Sequence, residues 1–482
     1  MSPKDPILAP RPALTEPTPE WLDALEARLG PQGVRRRDAV DAYLDEPRGR
    51  FRGKAALVAR PRDVDGVAAV VRACADARVG LVPWGGGTGL VGGQTALDGP
   101  TPILLSLERL NRVRGVSAED DTLTVDAGVT LAAAREAAAE AGRLFPLSLA
   151  SEGTCQIGGV LAANAGGVAV LRYGNARELC LGVEAVLADG SVLRGLTGLR
   201  KDNTGFDLRH LLIGSEGALG VITGATLKLY PQPAERAVAL AALHSVEDAI
   251  TLLRRLQGAL GETVSAFELL SAQAFAFLRE AEMETGPPPL DPTPPFAALV
   301  EIGGRGARDG LEATLAVALE EGLVTDAAVA ANEAQRAALW RLREAIPSAN
   351  RRIGAVASHD IAVPIARIPA FLREAEAALR RRAPQLRINA FGHLGDGNLH
   401  YNLFPPAGRA REDFAEIRDD ATRIVHDLVH AHRGSISAEH GIGRLKVADL
   451  ARYADPTKLS AMRAIKAALD PAGVLNPGVL GL

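Results

Sequence analysis

The chain has 482 residues, 47% of them hydrophobic and 23% charged, with a formal net charge of −4. This is the composition of a folded chain long enough for two or three domains, and it excludes a disordered or collagen-like one. No Lys/Arg block is long enough to suggest nucleic acid or a lipid surface, and no apolar run reaches the roughly 18 residues of a membrane span.

In chain order, residues 1–50 open as a Pro-rich arm, MSPKDPILAPRPALTEP, followed by a charged helical stretch around Trp21–Leu29. The arm lacks the apolar centre of a signal peptide, so a cytoplasmic location is expected. Residues 51–233 alternate short β-runs with two Ala-rich helices, Val64–Ala77 and Leu131–Ala141, and with glycine clusters. Pro231-Gln232-Pro233 marks a boundary. Residues 234–430 carry helices over 246–260 and 271–283, a Pro-rich spacer at Gly286–Pro295, and strand-like runs such as Ala297–Ile302 and Asp360–Val363. That pattern fits helices on an antiparallel sheet. Residues 431–482 form a last segment. The three cysteines, Cys74, Cys155 and Cys180, make no CxxC pair, so neither a disulfide frame nor a cysteine zinc motif is expected.

The stretch VPWGGGTGLVGGQTALDGP, Val82–Pro100, contains G-x-G-x-x-G at Gly87–Gly92. Val79–Val82 suits a leading strand, and Glu108 lies near the ~20-residue spacing of a ribose-binding acid. The dinucleotide motif, however, needs a helix opening at the loop, and Gly93–Pro100 leaves no room for one before a Gly-Pro break. Two further segments share the character of the first: GTCQIGGVLAANAGG, Gly153–Gly167, and IGSEGALGVIT, Ile213–Thr223. Taken singly they read as tight turns. Three such clusters in one domain favour a large anionic ligand held in extended form by unhindered backbone N–H groups.

The segment FGHLGDGNLHYNLF, Phe391–Phe404, centres on Asp396-Gly397, a favoured two-residue hairpin pair. With those two as the loop, His393 faces His400 at the roughly 4.5–5.5 Å Cβ spacing of cross-strand partners, and Asn402 shares the face of His400. Downstream, SISAEHGIG, Ser435–Gly443, puts Glu439 and His440 on a strand entering a glycine turn. Two histidines and a carboxylate make a zinc site with open positions, and the same set suits manganese or iron. A surface histidine pair is the plain alternative. A rival constellation, His426-Asp427-Leu428-Val429-His430, resembles the H-E-x-x-H zinc motif but has Asp where the general base must be Glu.

The order PWGGGTGLVGG, then PLSLASEGTCQIGGVLAANAGGVAVLRYGN, then LIGSEGALGVIT resembles the FAD-binding domain of the vanillyl-alcohol oxidase (PCMH-type) superfamily. The histidine and EHG motifs narrow the resemblance to the branch of D-2-hydroxyglutarate and D-lactate dehydrogenases, over about residue 50 to Leu482. The resemblance implies an α+β fold: a two-subdomain PCMH-type FAD-binding domain, an antiparallel-sheet α+β cap (substrate) domain, and a C-terminal helical segment returning to the flavin. By the same resemblance Pro83, Gly85, Gly86, Gly87, Thr88, Gly89 and Leu90 wrap the FAD pyrophosphate. Ser148, Gly153, Thr154, Cys155, Gly158, Gly159 and Ala165 line the flavin, with Glu216, Gly217, Val221, Ile222 and Asn476 as further contacts. The first loop has no histidine, so the FAD is expected to be non-covalent.

The resemblance also implies His393, His400 and Glu439 as ligands of a divalent metal, zinc by expectation, His440 as the group that takes the hydroxyl proton, and Arg343 and Asn402 as substrate contacts. Where 2-hydroxyglutarate dehydrogenases tend to carry Thr and Lys anchors, this chain has Pro347 and Ser358, which shifts the expected substrate toward monocarboxylates such as D-lactate unless His359 compensates. The expected reaction is FAD-dependent oxidation of a D-2-hydroxy acid to the 2-oxo acid, with hydride passing to flavin N5. Expected partners are the small acid, an electron acceptor (electron-transfer flavoprotein, quinone or cytochrome) and a second copy in a homodimer. The alternatives are a metal-independent transferase like alkyl-glycerone-phosphate synthase, a zinc hydrolase built on His426 and His430, or a catalytically inactive protein that keeps the fold.

Overall fold

The computed structural model describes residues 13–284, 286 and 288–482; most of the expected Pro-rich arm (residues 1–12) and Pro287 of the spacer lie outside the described residues. The chain divides into two units, one of Met1–Gly167, Gly174–Gln232 and Glu439–Leu482, the other of Val168–Tyr173 and Pro233–Ala438. The second unit keeps residues 431–438 because Ser435 and Ala362 exchange backbone hydrogen bonds (2.8 and 3.0 Å) and Ala438 N–H donates to Asp360 O (3.2 Å). It also takes in Val168–Tyr173, where Arg172 donates to Gly303 O (2.5 Å) and Ser265 Oγ (3.3 Å).

In the first unit a four-stranded sheet runs in the order Val34–Arg35, Leu57–Ala59, Ile103–Ser106, Leu81–Trp84, the last three parallel. The helix Val64–Ala77 makes the crossover. Asp63 caps it by accepting from Gly66 N–H, and Val67, Val70, Val71 and Cys74 recur at helical spacing on its fully buried face. After Leu81–Trp84 the chain runs through Gly85–Pro100 with neither helix nor strand, so the G-x-G-x-x-G there opens no helix. A second, five-stranded antiparallel sheet has the order Val113–Ser117, Thr122–Asp126, Val221–Lys228, Cys180–Val186, Val192–Gly195.

The second unit is built on a seven-stranded antiparallel sheet in the order Asp326–Val329, Arg236–Leu243, Phe296–Gly303, Val264–Ser271, Arg387–Gly392, Asn398–Phe404, Ala357–Ala362. Helices Ala272–Glu280 and Glu333–Ile353 cover one face, burying Leu270, Phe277, Leu339, Ile346, Phe391 and Phe404 together. Helices Val246–Leu260, Ala307–Glu320, Ile368–Arg382 and Ala415–Ala431 cover the other. Sandwiched in this way, Val264–Ser271 is buried on both faces, and it carries a glutamate, Glu268, that is completely removed from solvent.

The histidine hairpin has a different register from the one Asp396-Gly397 predicts. His400 lies opposite Phe391, not His393, and the turn spans His393–Gly397. Two glycines explain the longer turn. Gly392 takes φ +139° and Gly397 φ +88°, so the strand breaks before His393 and rejoins at Asn398. Within the turn, Asp396 and Gly397 N–H both donate to His393 O (3.2 and 3.1 Å), while Leu394 is fully buried. Nor do Glu439 and His440 lie on a strand: Ser435 makes an isolated bridge to Ala362, and the backbone then turns through Gly441 and Gly443 at positive φ.

A Cβ added at Gly397 would stand 2.5 Å from Val363 O in a left-handed backbone. Gly397→Ala is therefore expected to lose about 1–3 kcal/mol of stability, read as a lower urea midpoint at unchanged m-value.

Candidate active site

In the first unit the three glycine segments meet. A Cβ at Gly86 would lie 2.0 Å from Thr154 O, so only glycine there lets the Pro83–Leu90 loop rest on the Gly153–Ala165 segment, and Gly85 packs beside Gly159, where a Cβ would make an ordinary 3.6 Å contact with its Cα. A Cβ at Gly217 would lie 2.9 Å from Pro83 Cγ, which brings in the third segment. Glu216 N–H donates to Ala162 O (2.9 Å), joining the third to the second. The Gln94 amide donates to Gly89 O (3.0 Å) and steadies Gly87, Thr88 and Gly89. Gly153 and Gly159 face open space, and the buried Gln156 Oε1 beside Gly85 accepts no hydrogen bond from the described residues. Such a surface, with backbone exposed between small residues and a buried acceptor left over, fits a long ligand rich in polar groups. Val221 and Ile222 are buried on the strand that follows, Cys155 and Ala165 lie within the second segment, and Ser148 Oγ donates to Glu152 (3.1 Å). Glu108, the acid at ribose spacing, is tied instead to Arg60 and Tyr43.

Two residues read as cofactor contacts are committed elsewhere through their side chains. The Glu216 carboxylate accepts from Ile442 and Gly443 N–H (both 2.8 Å); burial pushes its carboxyl up, against the pull of those two N–H groups. Asn476 donates from its amide to Gly93 O (3.0 Å) and Glu216 O (2.7 Å). A third, Arg444, was not singled out from sequence. Its guanidinium donates to Gly92 O, Gly93 O and Pro477 O (all 2.9 Å) and to Asn476 Oδ1 (2.7 Å), and burial lowers its pKa to about 10. Together they fasten the turn that follows Glu439-His440 onto the first glycine loop. The signal was available in part: an Arg directly after G-I-G and an Asn before Pro477, each beside backbone that glycine or proline keeps out of helix and strand.

In the second unit, cross-strand pairs set one polar row on the face beneath helix Glu333–Ile353. Asp360, His400 and Phe391 stand opposite one another, with Ser358, Asn402 and Asn389 in the next row. His393 reaches the same place from its turn, its ring 5.6 Å from that of His400. His393 Nδ1 lies 2.5 Å from Glu268 Oε1, and Glu268 Oε2 accepts from Arg343 Nε at 2.7 Å. Burial alone would push the Glu268 carboxyl up, but the adjoining charges and hydrogen bonds of His393 and Arg343 outweigh it and hold it at about 2. Arg343 is itself buried and lies over the Phe391 ring, 5.1 Å from its centroid. Asp360 accepts from Asn398 Nδ2 (2.9 Å) and stands 3.8 Å from His400 Nδ1.

Ala438, whose N–H donates to Asp360 O, is followed directly by Glu439 and His440. The ligand atoms of His393, His400 and Glu439 lie within 4.8 Å of one another, as do those of Asp360, Glu439 and His440. The two histidines therefore converge despite the shifted register, because the turn carries His393 back over the strand end. Two nitrogens and a carboxylate oxygen at that separation fit a divalent ion. His440 Nε2 is 3.8 Å from Glu439 Oε1.

His359 cannot supply a distal cation on this face. It alternates with Asp360 onto the opposite side of the sheet, where its Nδ1 meets Tyr401 O (2.6 Å), its Nε2 meets Thr422 Oγ1 (3.3 Å) and its ring lies against His426. The His426/His430 pair, on helix Ala415–Ala431, belongs to that opposite side, and neither histidine joins a metal-competent group among the described residues. Pro347 lies inside helix Glu333–Ile353, one turn beyond Arg343, and Ser358 is exposed at the sheet edge.

Residues 55–195 match the family model for an FAD-binding domain, and residues 232–480 match that for the C-terminal domain of FAD-linked oxidases. The chain is 39% identical over 425 residues to D-2-hydroxyglutarate dehydrogenase of Xanthomonas citri pv. viticola, covering 88% of each. It is 38% identical to the mitochondrial D-2-hydroxyglutarate dehydrogenase of Bos taurus (88% of this chain, 77% of the relative), and 33% identical to a putative mitochondrial D-lactate dehydrogenase of Schizosaccharomyces pombe (91% and 84%). Among solved structures, p-cresol methylhydroxylase superposes with a TM-score of 0.77 at 16% identity, over 98% of each chain. Alkyldihydroxyacetonephosphate synthase gives 0.74 at 17% identity, over 98% of this chain and 89% of the other. At those identities the superpositions establish a shared PCMH-type fold.

Gly86→Ala tests the cradle. With Thr154 O fixed in the backbone, the new methyl group must push the two loops apart, and the variant is expected to purify with well under one FAD per chain. A wild-type ratio of flavin to protein absorbance would count against the cradle.

Proposed function

Because the chain belongs to the family of FAD-linked oxidases, in the branch of the D-2-hydroxyglutarate and D-lactate dehydrogenases, we propose that it oxidises a D-2-hydroxy acid to the corresponding 2-oxo acid. The observation that carries this reading is the convergence of His393, His400 and Glu439 on one point, with His440 next in the chain. When bound, FAD supplies the acceptor for the electron pair leaving C2, and a divalent ion held by His393, His400 and Glu439 supplies Lewis acidity toward the hydroxyl and carboxylate oxygens. His440 takes the hydroxyl proton. Arg343 uses its Nε edge on Glu268 and presents its outer edge to the substrate carboxylate, a geometry suited to a bidentate contact. Asn402 orients the acid from the neighbouring row, its Oδ1 fixed by His359 N–H (3.1 Å).

Within the class, the row beyond His400 favours a monocarboxylate. Ser358, Asn402 and Asn389 are neutral, and Pro347 and the outward-turned His359 add no cation there. Relatives named for 2-hydroxyglutarate keep that dicarboxylate as the second reading. An external acceptor, an electron-transfer flavoprotein, quinone or cytochrome, would complete the turnover; no helix among the described residues is long and apolar enough to cross a membrane.

The direct test is the anaerobic visible spectrum while D-lactate, D-2-hydroxyglutarate and their L-enantiomers are added in turn. Bleaching by a D-acid and not its enantiomer is expected; a flavin band that no 2-hydroxy acid bleaches would overturn the reading. His393→Ala and Glu439→Ala are each expected to lose the metal and keep FAD, checked by elemental analysis against flavin absorbance. His440→Ala is expected to keep both and to slow flavin reduction by about 10²–10⁴-fold in stopped flow. Ser358→Lys is expected to raise kcat/KM for D-2-hydroxyglutarate relative to D-lactate, and an unchanged ratio would remove Ser358 from the distal pocket.

A further inference from the structure

The central strand Val264–Ser271 holds a carboxylate that the proposed chemistry does not use. Glu268 has a side chain with no solvent exposure, and both its oxygens are engaged, Oε1 by His393 Nδ1 and Oε2 by Arg343 Nε. A guanidinium is permanently charged and can only donate, so Oε2 acts as acceptor and the adjoining positive charge favours the carboxylate form. An anionic carboxylate is an acceptor on both oxygens, so the proton in the 2.5 Å contact with His393 resides on Nδ1. When the ring is neutral and its proton is on Nδ1, the lone pair is on Nε2. A histidine that ligates a metal commonly has its other nitrogen held in this way by a carboxylate, which selects the tautomer and fixes the ring plane.

The same side chain governs Arg343. With Nε bound to Oε2, the guanidinium carbon lies 5.1 Å from the centroid of the Phe391 ring, and the terminal N–H groups remain as donors suited to a carboxylate. The metal-facing nitrogen of His393 and the outer edge of Arg343 are therefore placed by two oxygens of one carboxylate. A 2-hydroxy acid offers two matching groups, a hydroxyl and a carboxylate on adjacent carbons, whose spacing is equally rigid.

We propose that Glu268 is a positioning residue that locks His393 in the Nδ1–H tautomer and seats Arg343, so that one buried carboxylate sets both the metal ligand and the carboxylate-binding arginine. The proposal rests on the metal reading above for its affinity readout, and on the wild-type geometry alone for its tautomer readout. Glu268→Gln keeps the volume but puts an NH2 group where one of two donors needs an acceptor. Either His393 turns its proton to Nε2, which blocks ligation, or Arg343 is displaced.

The experiment uses FAD-loaded full-length protein. In wild-type protein stripped of metal, at about pH 8 where an ordinary imidazole is neutral, ¹⁵N shifts of labelled histidine, assigned with a His393→Gln control, are expected to show His393 protonated on Nδ1. In E268Q the zinc dissociation constant, measured by chelator competition, is expected to rise about 10- to 100-fold while the FAD-to-protein ratio and far-ultraviolet circular dichroism stay at wild-type values. With zinc saturating, KM for the acid that bleaches wild-type flavin should rise about tenfold or more, as loss of a charge-assisted contact implies. Zinc affinity within twofold of wild type, or an Nε2–H tautomer in the wild-type protein, overturns the proposal. If E268Q does not fold, the wild-type tautomer decides. If the wild-type protein takes up no zinc, the metal reading fails, and the tautomer still decides the role of Glu268.

Discussion

The constraint on which the second unit depends is the burial of one negative charge at the centre of a seven-stranded sheet. A carboxylate removed from water costs several kcal/mol unless its partners arrive with good geometry, and removing one partner leaves the charge stranded. Glu268 therefore ties together three parts of the fold that are distant in sequence: its own strand, helix Glu333–Ile353 through Arg343, and the turn after Arg387–Gly392 through His393. Apolar packing in the same layer, Leu270, Phe391 and Ile346 among others, supplies most of the burial but has no directional preference. Directional contacts fix how far the helix slides along the sheet: Arg343 on Glu268, Trp340 Nε1 on Glu301 (2.7 Å) and Asn389 Nδ2 on Asn350 Oδ1 (3.0 Å), and the first of these acids also holds the histidine.

A second buried acid solves the same problem differently within the first unit. Glu216 has no guanidinium bonded to its carboxylate; it is satisfied by two consecutive backbone N–H groups, those of Ile442 and Gly443. Burial raises the Glu216 carboxyl and its two N–H donors do not offset it, whereas the charged partners of Glu268 overcome burial and hold that one low. Gly441 makes the arrangement possible, since a Cβ there would fall 2.8 Å from Glu216 Oε1. Arg444 and Asn476 then bind the carbonyls that the glycine loop leaves exposed. A loop built of glycine gains close approach at the cost of conformational entropy, and side chains from the C-terminal segment offset that cost by fixing it from outside.

Elements with local causes were legible in the sequence. Helix Val64–Ala77 follows its Asp63 cap, and helix Val246–Leu260 follows Ser245. The absence of a helix after Gly92 followed from the Gly-Pro break. The register of the histidine hairpin was not legible, because it turns on Gly392 adopting φ +139° and on burial of Leu394, both set by the rest of the sheet. Glu268 was missed for a related reason: in VSAFELLS it reads as a charge interrupting a strand. Once that strand is placed at the centre of a sheet covered on both faces, the lone acid must have buried cationic or N–H partners, and the candidates are few.

That reasoning changes what the shifted hairpin means. In the expected register, two imidazoles would stand opposite one another on adjacent strands, and each would be oriented by its own backbone alone. In the observed one, His400 belongs to a strand and has Asp360 across from it, while His393 belongs to a turn and its ring is bonded to Glu268. A turn residue is the less precise platform for a ligand, and here it is the one given a short, fully buried carboxylate contact. The strand residue, already fixed by its ladder, stands 3.8 Å from the Asp360 carboxylate. A buried, charged contact is thus applied to the ligand that the backbone ladder does not hold, and the placing of His393 depends on the turn position and the buried acid together.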